Sequence, residues 1–347
     1  MPASAKLTWF DAHLDLAYLA ASGNDLTATS IPANQAITFS TLAQGNVRRM
    51  LATIFVQRQI TSGPPEQQAT GPWCFDTIQD AYQCSLMQLQ QYGRWHTANN
   101  LHIVSQAAGP PQATPRGAHP ATNTPQAIIL LEGATGLRDV RDLDLFYQGG
   151  VRVLALTWVD GNQWSGGDQS GGDITPAGLQ LLAKADSLNM VHDVSHLSER
   201  AFWTLLDHAQ RPKIASHSNC RSLLPGKQHP ERHLSDRQIA ALATARGVIG
   251  INLFGKFLCS NGRATIQHVV DHIGHITNVT GRGDCIGLGS DMDGGFTSSE
   301  LPQGIASPAD LYKIADALAA ANYSDAFIHG FAHKNWDRFF AAALPGF

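Results

Sequence analysis

Six residues of this 347-residue chain are of the types that can ligate a metal ion and stand at the ends of apolar runs: His13, Asp15, Glu132, His196, His217 and Asp291. The first two belong to Asp11-Ala12-His13-Leu14-Asp15, at the end of the apolar run Leu7-Thr8-Trp9-Phe10. Side chains alternate faces in extended backbone, so Asp11, His13 and Asp15 are expected to point the same way. Glu132 ends the apolar run Ala127–Glu132, and His196 follows Met190–Ser195. His217 lies in Ala215-Ser216-His217-Ser218, and Asp291 in Gly289-Ser290-Asp291-Met292-Asp293-Gly294. Imidazole nitrogen and carboxylate oxygen are ligands that Zn²⁺ accepts. Singly, each residue has a bland reading: Asp15 as a helix N-cap, Glu132 or Asp291 as a cap of the next helix, His196 or His217 as a hydrogen-bonded core residue. Jointly the bland readings weaken, because buried charge without a partner is costly. Six ligand-type residues exceed what one tetrahedral zinc needs. Two ions sharing a bridging carboxylate fit better, and Glu132, isolated in an apolar strand, is the natural bridge. Such a pair makes a water acidic at neutral pH and polarises the bond it attacks, which is the chemistry of hydrolysis.

These residues need elements that converge their ends. Compact apolar runs of strand length begin near residues 7, 50, 127, 151, 190, 213, 248 and 285. Between them, helical patterns are expected over 74–94, 139–149, 176–188, 199–209, 235–245, 266–279 and 308–321. Thr175 and Ser198 stand as N-caps, with Pro176 at a first helical position. Residues 61–72, 106–125 and the Gly-rich 161–173 read as loops. Near-continuous apolar strands alternating with helices mean a parallel sheet covered on both faces. Eight such units in a chain of this length predict a (β/α)₈ barrel with long loops, one metallohydrolase domain over 1–347. An open doubly wound sheet is the alternative, but no G-x-G-x-x-G follows the first strand. In a barrel, the C-terminal strand ends form the active site, and the six residues lie at five of those ends.

The remaining composition narrows the function class. A net charge of −4 and the lack of a basic patch give no reason to expect nucleic acid. Hydrophobic content of 43% with 15% charge describes a globular chain. Five cysteines without a C-x-x-C pair indicate neither a disulfide framework nor a thiolate zinc site. No signal peptide, membrane-length apolar run or lipid-anchor signal is evident, so a soluble cytoplasmic protein without membrane association is expected.

With these motifs in hand, the sequence resembles the membrane (renal) dipeptidase family of zinc peptidases, peptidase family M19 in the amidohydrolase superfamily. The resemblance rests on D-A-H-L-D at Asp11–Asp15, L-L-E-G at Glu132, H-D-V-S-H-L-S around His196 and S-H-S at His217. It rests also on E-R-H-L-S-D around Arg232, G-S-D-M-D-G at Asp291, and N-W-x-R-F-F at Asn335–Phe340, which looks like the family's closing helix. It implies a (β/α)₈ barrel with two Zn²⁺ per chain. His13 and Asp15 would hold one ion, Glu132 would bridge, and His196 and His217 would hold the other. Asp291 would be the acid/base, and Arg232 would bind the substrate's terminal carboxylate, a task its guanidinium fork suits. The implied reaction is cleavage of a dipeptide, D-residues at the C-terminal position included, by a protein that forms a homodimer.

One position departs from the pattern. Family members typically carry a histidine after strand four that steadies the developing oxyanion, whereas this chain reads Leu154-Ala155-Leu156-Thr157-Trp158. Tryptophan offers one N–H donor and no titration. Trp158 is therefore expected to touch both catalysis and substrate choice. Two other functions remain open on this ground: hydrolysis or rearrangement of a cyclic amide, lactam or modified-peptide precursor, and a metal-retaining binding homologue with weakened catalysis. Asp193 and Asp293 are candidates for supporting ligand histidines from behind. Asn252 also sits near a strand end. His192 should face the helices, and His268, His272, His275, His329 and His333 read as solvated helix faces.

Overall fold

Because a parallel strand buried on both faces needs apolar side chains on each, the eight runs fold as expected. The structure is a computed structural model that describes residues 7–62, 68–104, 124–226, 229–344 and 347. Its barrel strands are β1 (Trp9–Leu14), β2 (Val47–Phe55), β3 (Gln126–Glu132), β4 (Val151–Ala155), β5 (Val191–Asp193), β6 (Lys213–Ile214), β7 (Ile249–Ile251) and β8 (Ile286–Leu288). They lie in the order β6-β5-β4-β3-β2-β1-β8-β7. A parallel bridge from Ala215 to Ile249 closes the ring, with the Gly250 N–H donating to the Ala215 carbonyl at 2.8 Å.

Helices α1 (Ile78–Thr97), α2 (Asp142–Gln148), α3 (Pro176–Ser187), α4 (Glu199–His208), α5 (Asp236–Thr244), α6 (Ile266–Thr280) and α7 (Tyr312–Ala320) follow strands β2 to β8. The connection after β1 holds two short helices, Leu16–Ala21 and Phe39–Gln44. The caps are where the sequence puts them: Thr175 Oγ1 accepts from Gly178 N at 3.0 Å and Ser198 Oγ from Ala201 N at 3.1 Å. Helix α1 starts at Ile78 and not at Cys74, because Thr77 and Asp80 form a reciprocal capping box. Cys74–Phe75 instead pairs with Gln57–Arg58. The expected 161–173 loop contains an antiparallel hairpin, Ser165–Gly167 with Gly171–Ile174. Most of the expected 106–125 loop, and the centre of 61–72, lie outside the described residues.

Alternation along each strand decides what enters the barrel. Phe10, Ala12, Leu51, Ile128, Leu130, Val153, Ala155, Val191, Ile214 and Val248 fill the interior, while their neighbours pack outward against the helices. Helix α8 (Asn335–Ala343) plugs the end where the strands begin. Phe10 stacks with Phe340 at 5.5 Å, and the Trp336 indole N–H donates to the Leu288 carbonyl at 3.0 Å. The opposite end is left for polar residues. Among the described residues no helix is long and apolar enough to cross a membrane.

Candidate metal centre and active site

Each ligand-type residue reaches the mouth of the barrel for a local reason. In β3, Ile128 and Leu130 face inward, so Glu132, next on that face, does too. In β1 the alternation breaks. Phe10 and Ala12 face inward, yet Leu14 packs outward, and the pairing with β2 shifts between Asp11 and Leu14. This irregularity turns His13 into the mouth, a common use of a strand irregularity beside a site. The three-residue alignment expected of Asp11, His13 and Asp15 therefore does not form. Asp11 instead accepts from Ser290 N at 2.8 Å and stitches β1 to the end of β8. His196 and Asp291 sit in left-handed backbone, at φ 65° and 59°, sparsely populated for residues other than glycine.

The closing strands are thinned to admit strand six. A Cβ on Gly250 or Gly289 would lie 1.9 or 1.8 Å from the Ser216 carbonyl oxygen, so only glycine fits either position. Gly294 plays the same part for the carboxylates, since a Cβ there would meet Asp291 Oδ1 at 2.0 Å.

The donors converge on Glu132, and its two oxygens face different partners. Oε2 lies 3.2 Å from His13 Nε2, while Oε1 lies 3.4 Å from His196 Nε2 and 3.6 Å from His217 Nε2. Asp15 Oδ1 is 3.8 Å from His13 Nε2 and accepts from the Thr53 hydroxyl. Asp15 is thus turned into the site, and its side chain does not cap the following helix. Among the described residues, two groups of donors are close enough to hold a cation: His13, Glu132 and His217, and His13, Asp15 and Asp291. His196 joins the first, its Nε2 3.0 Å from that of His217.

The polar layer behind these donors fixes their orientation. The Ser216 hydroxyl oxygen lies 3.0 Å from His13 Nδ1 and 2.8 Å from His217 Nδ1. It can accept from both rings and pass its own proton on to Ser195 Oγ at 3.4 Å. Both rings then turn Nε2 toward Glu132. His196 Nδ1 pairs with Asp168 Oδ2 at 2.9 Å, and Asn252 Nδ2 donates to Asp291 Oδ2 at 2.9 Å. Asp193 and Asp293 do not touch a ligand ring. Asp193 accepts from the backbone of Ser195 and Ser216, and Asp293 from that of Ala36 and Ile37, so each shapes a loop. Sequence reasoning passed over Ser216 and Asp168. Ser216 stood in the quoted S-H-S triplet, whereas nothing singled Asp168 out among the aspartates of its Gly-rich stretch.

Charge in the site is unbalanced without a cation. Burial alone would depress the His13 pKa, but the Glu132 carboxylate, with Asp15 and Asp291, lifts it to about 10. Burial, then repulsion from Glu132, raises Asp15 to about 7, and burial raises Asp291 to about 6. Burial would also raise Glu132, but the His13 imidazolium and then His196 hold it well below the usual carboxylate range. His217, pressed by burial and by charged His13, is held neutral. Three buried carboxylates thus crowd around the His13 and His196 imidazoles, both of which they raise. Divalent metal would supply the missing positive charge, and neutral imidazoles with carboxylates are the donors it takes. The residues fit the metal.

Arg232 sits in a short turn, Pro230–Arg232, and is buried. Its Nη2 donates to the His217 carbonyl at 2.9 Å, and its Nε, 3.9 Å from Asp168 Oδ2, has no hydrogen-bond partner among the described residues. Trp158 is half-buried beside the donors, 5.0 Å from the Phe55 ring and 6.0 Å from that of His196. The other histidines stay apart. His192 faces the helices and pairs with Asp186 at 2.8 Å. His272 is buried and not solvated: it accepts from Cys220 N at 3.0 Å, with the Leu258 carbonyl on its other nitrogen. His268 closes the capping box of α6, His275 pairs with Asp236 at 2.7 Å, and His333 with Asp337 at 2.8 Å.

Known proteins resemble this chain in sequence and in fold. An uncharacterised protein encoded in the pqqA 5′ region of Klebsiella pneumoniae is 34% identical over 224 residues, 61% of this chain and 79% of its own length. Dipeptidase tcpJ of Claviceps purpurea is 32% identical over 200 residues, 55% of this chain but 44% of its own length, so the match spans less than half of that relative. The crystal structure of the dipeptidase AC, described as a metallo peptidase of family M19, superposes with a TM-score of 0.78 at 25% identity, covering 97% of this chain and 98% of the other. Residues 3–344 match the Membrane dipeptidase family (Peptidase family M19), and the chain belongs to that metallopeptidase family.

Proposed function

We propose that this protein is a binuclear zinc hydrolase that cleaves the amide bond of dipeptides, with L- or D-residues at the C-terminal position. The observation that carries the reading is the division of Glu132. One oxygen faces His13, whose other neighbour is Asp15, and the other faces His196 and His217, as a carboxylate bridging two ions requires. When bound, the two ions would supply a water acidic enough to attack at neutral pH and would polarise the scissile carbonyl.

The chain's own residues do the rest. Arg232, buried and with an unpaired Nε, holds the substrate's terminal carboxylate through its remaining donors and sets the register of the peptide. Asp291, steadied by the Asn252 amide at 2.9 Å and turned toward the donors, is placed to take up a proton and deliver it to the leaving nitrogen. Trp158 and Phe55 form an aromatic wall beside His196 that limits the space around the scissile bond.

The test is metal stoichiometry together with a dipeptide panel. Purified protein should carry close to two zinc ions per chain and turn over dipeptides but not their C-terminal amides. Glu132→Gln should lose metal from both positions, because a bridge belongs to both. Full occupancy and activity in that variant would refute the binuclear assignment, and turnover of lactams but not dipeptides would replace the substrate class.

A further inference from the structure

The hairpin turn after β4 brings one acidic residue to the back of the site. Asp168 is buried, and its backbone N–H donates to the His196 carbonyl at 2.9 Å. Its Oδ2 lies 2.9 Å from His196 Nδ1 and 3.9 Å from Arg232 Nε. Asp168 Oδ1 and Arg232 Nε are both buried without a hydrogen-bond partner among the described residues. One carboxylate thus stands between a candidate metal ligand and the guanidinium assigned to the substrate carboxylate, fully satisfied by neither.

We propose that Asp168 is a positioning residue that couples metal binding at His196 to carboxylate binding at Arg232. The inference rests on the binuclear reading above. With the Nε2 lone pair of His196 engaged by a metal, its ring is electron-poor and Nδ1–H donates more strongly. The Asp168 charge is then drawn toward His196 and neutralises Arg232 less, so the guanidinium has more charge to offer an incoming carboxylate. Coupling of this kind is reciprocal: a carboxylate on Arg232 releases Asp168 to His196 and tightens the metal there. The same hydrogen bond fixes the tautomer that leaves Nε2 unprotonated. Arg232 keeps its place through the His217 carbonyl and through Phe257, whose ring lies 5.0 Å from the guanidinium carbon, so the coupling does not require Asp168 to hold the arginine up.

The test measures metal affinity, not turnover. The second zinc equivalent is titrated against a competing chelator in the presence of N-acetylalanine or of its C-terminal amide, which lacks the carboxylate. In the parent protein, N-acetylalanine should tighten the second equivalent by roughly 5-fold or more relative to the amide. In Asp168→Asn, whose amide oxygen still accepts from Nδ1 but carries no charge, both equivalents should bind and that difference should vanish. Asp168→Ala should further weaken the second equivalent by about 10–100-fold while sparing the first. As a signature on the isosteric variant, the His196 Nδ1–H proton resonance should move upfield in Asp168→Asn. An Asp168→Asn protein that keeps both the N-acetylalanine effect and the proton resonance would overturn the proposal, even if Asp168→Ala fails to fold. A parent chain that takes up fewer than two equivalents would overturn the binuclear reading first, and this coupling with it.

Discussion

His13 shows how one residue changes state with the metal. In the metal-free site its pKa stands at about 10, and that of Asp15 at about 7, so at pH 7 His13 is protonated and Asp15 about half so. A metal takes neutral imidazole and ionised carboxylate, and binding must therefore expel protons. The sign follows: apparent zinc affinity should rise with pH from about 6 to 9, with about one to two protons released at pH 7. Calorimetry in two buffers of different ionisation enthalpy reads that number, and zero release would place His13 outside the ligand set. Trp158 gives a second residue-level prediction. Losing one oxyanion donor costs about 10²–10³ in kcat, so Trp158→His should raise kcat on simple dipeptides by up to that factor and widen the range of residues accepted. Steady-state kinetics on a panel would check it. If Trp158→His and Trp158→Phe both behave like the parent, the indole only packs against Phe55. At this scale the sequence was most legible where ligand types repeated at strand ends, as with Glu132 and His217. It was least legible for Asp168, because contact between a hairpin tip and His196 leaves no periodic trace. It misled for His272, whose helical spacing matched a solvated face although the ring bonds inward to Cys220 and Leu258.

The elements position the donors by small allowances in the backbone. Glu132 was legible as the carboxylate that ends an apolar strand, but the alternation expected of β1 fails, where a shift between Asp11 and Leu14 exchanges faces. Such a shift depends on pairing partners far away in sequence, and local pattern cannot encode it. Gly250 in β7 and Gly289 just after β8 are the other allowance. Gly289→Ala would drive a methyl to 1.8 Å from the Ser216 carbonyl oxygen, a backbone atom that cannot swing away. Overpacking of this kind costs about 1–3 kcal/mol or more and would push strand six, with Ser216 and His217, out of place. The expected result is a lower Tm together with weakened zinc retention. Both are measurable on one sample by thermal melting and metal analysis. A variant that melts lower but keeps both ions would mean that strand six moves as a unit without disturbing His217.

At the scale of the whole molecule, the barrel separates stability from chemistry by its two ends. The sequence indicated the closing helix through the run at Asn335–Phe340, and the structure gives that run its physical task. Trp336 is fully buried, stacks on Phe10 at 5.9 Å and satisfies the Leu288 carbonyl through its indole N–H. Truncating it removes a large buried ring and one buried hydrogen bond, and Trp→Ala changes in cores cost about 3–5 kcal/mol. Phe10, the ring it covers, is only three residues before His13, so the cavity would open beneath the metal centre without removing a donor. Trp336→Ala should therefore lower the Tm markedly in metal-free protein and recover part of that loss when zinc is added, because ligand bound to the native state stabilises it by mass action. Activity per folded molecule, measured below the transition, should stay within a few-fold of the parent, since Trp336 touches neither Arg232 nor Asp291. A large fall in kcat at full zinc occupancy would mean that the plug sets the register of β1. The position of His13 would then depend on packing at the far end of the barrel.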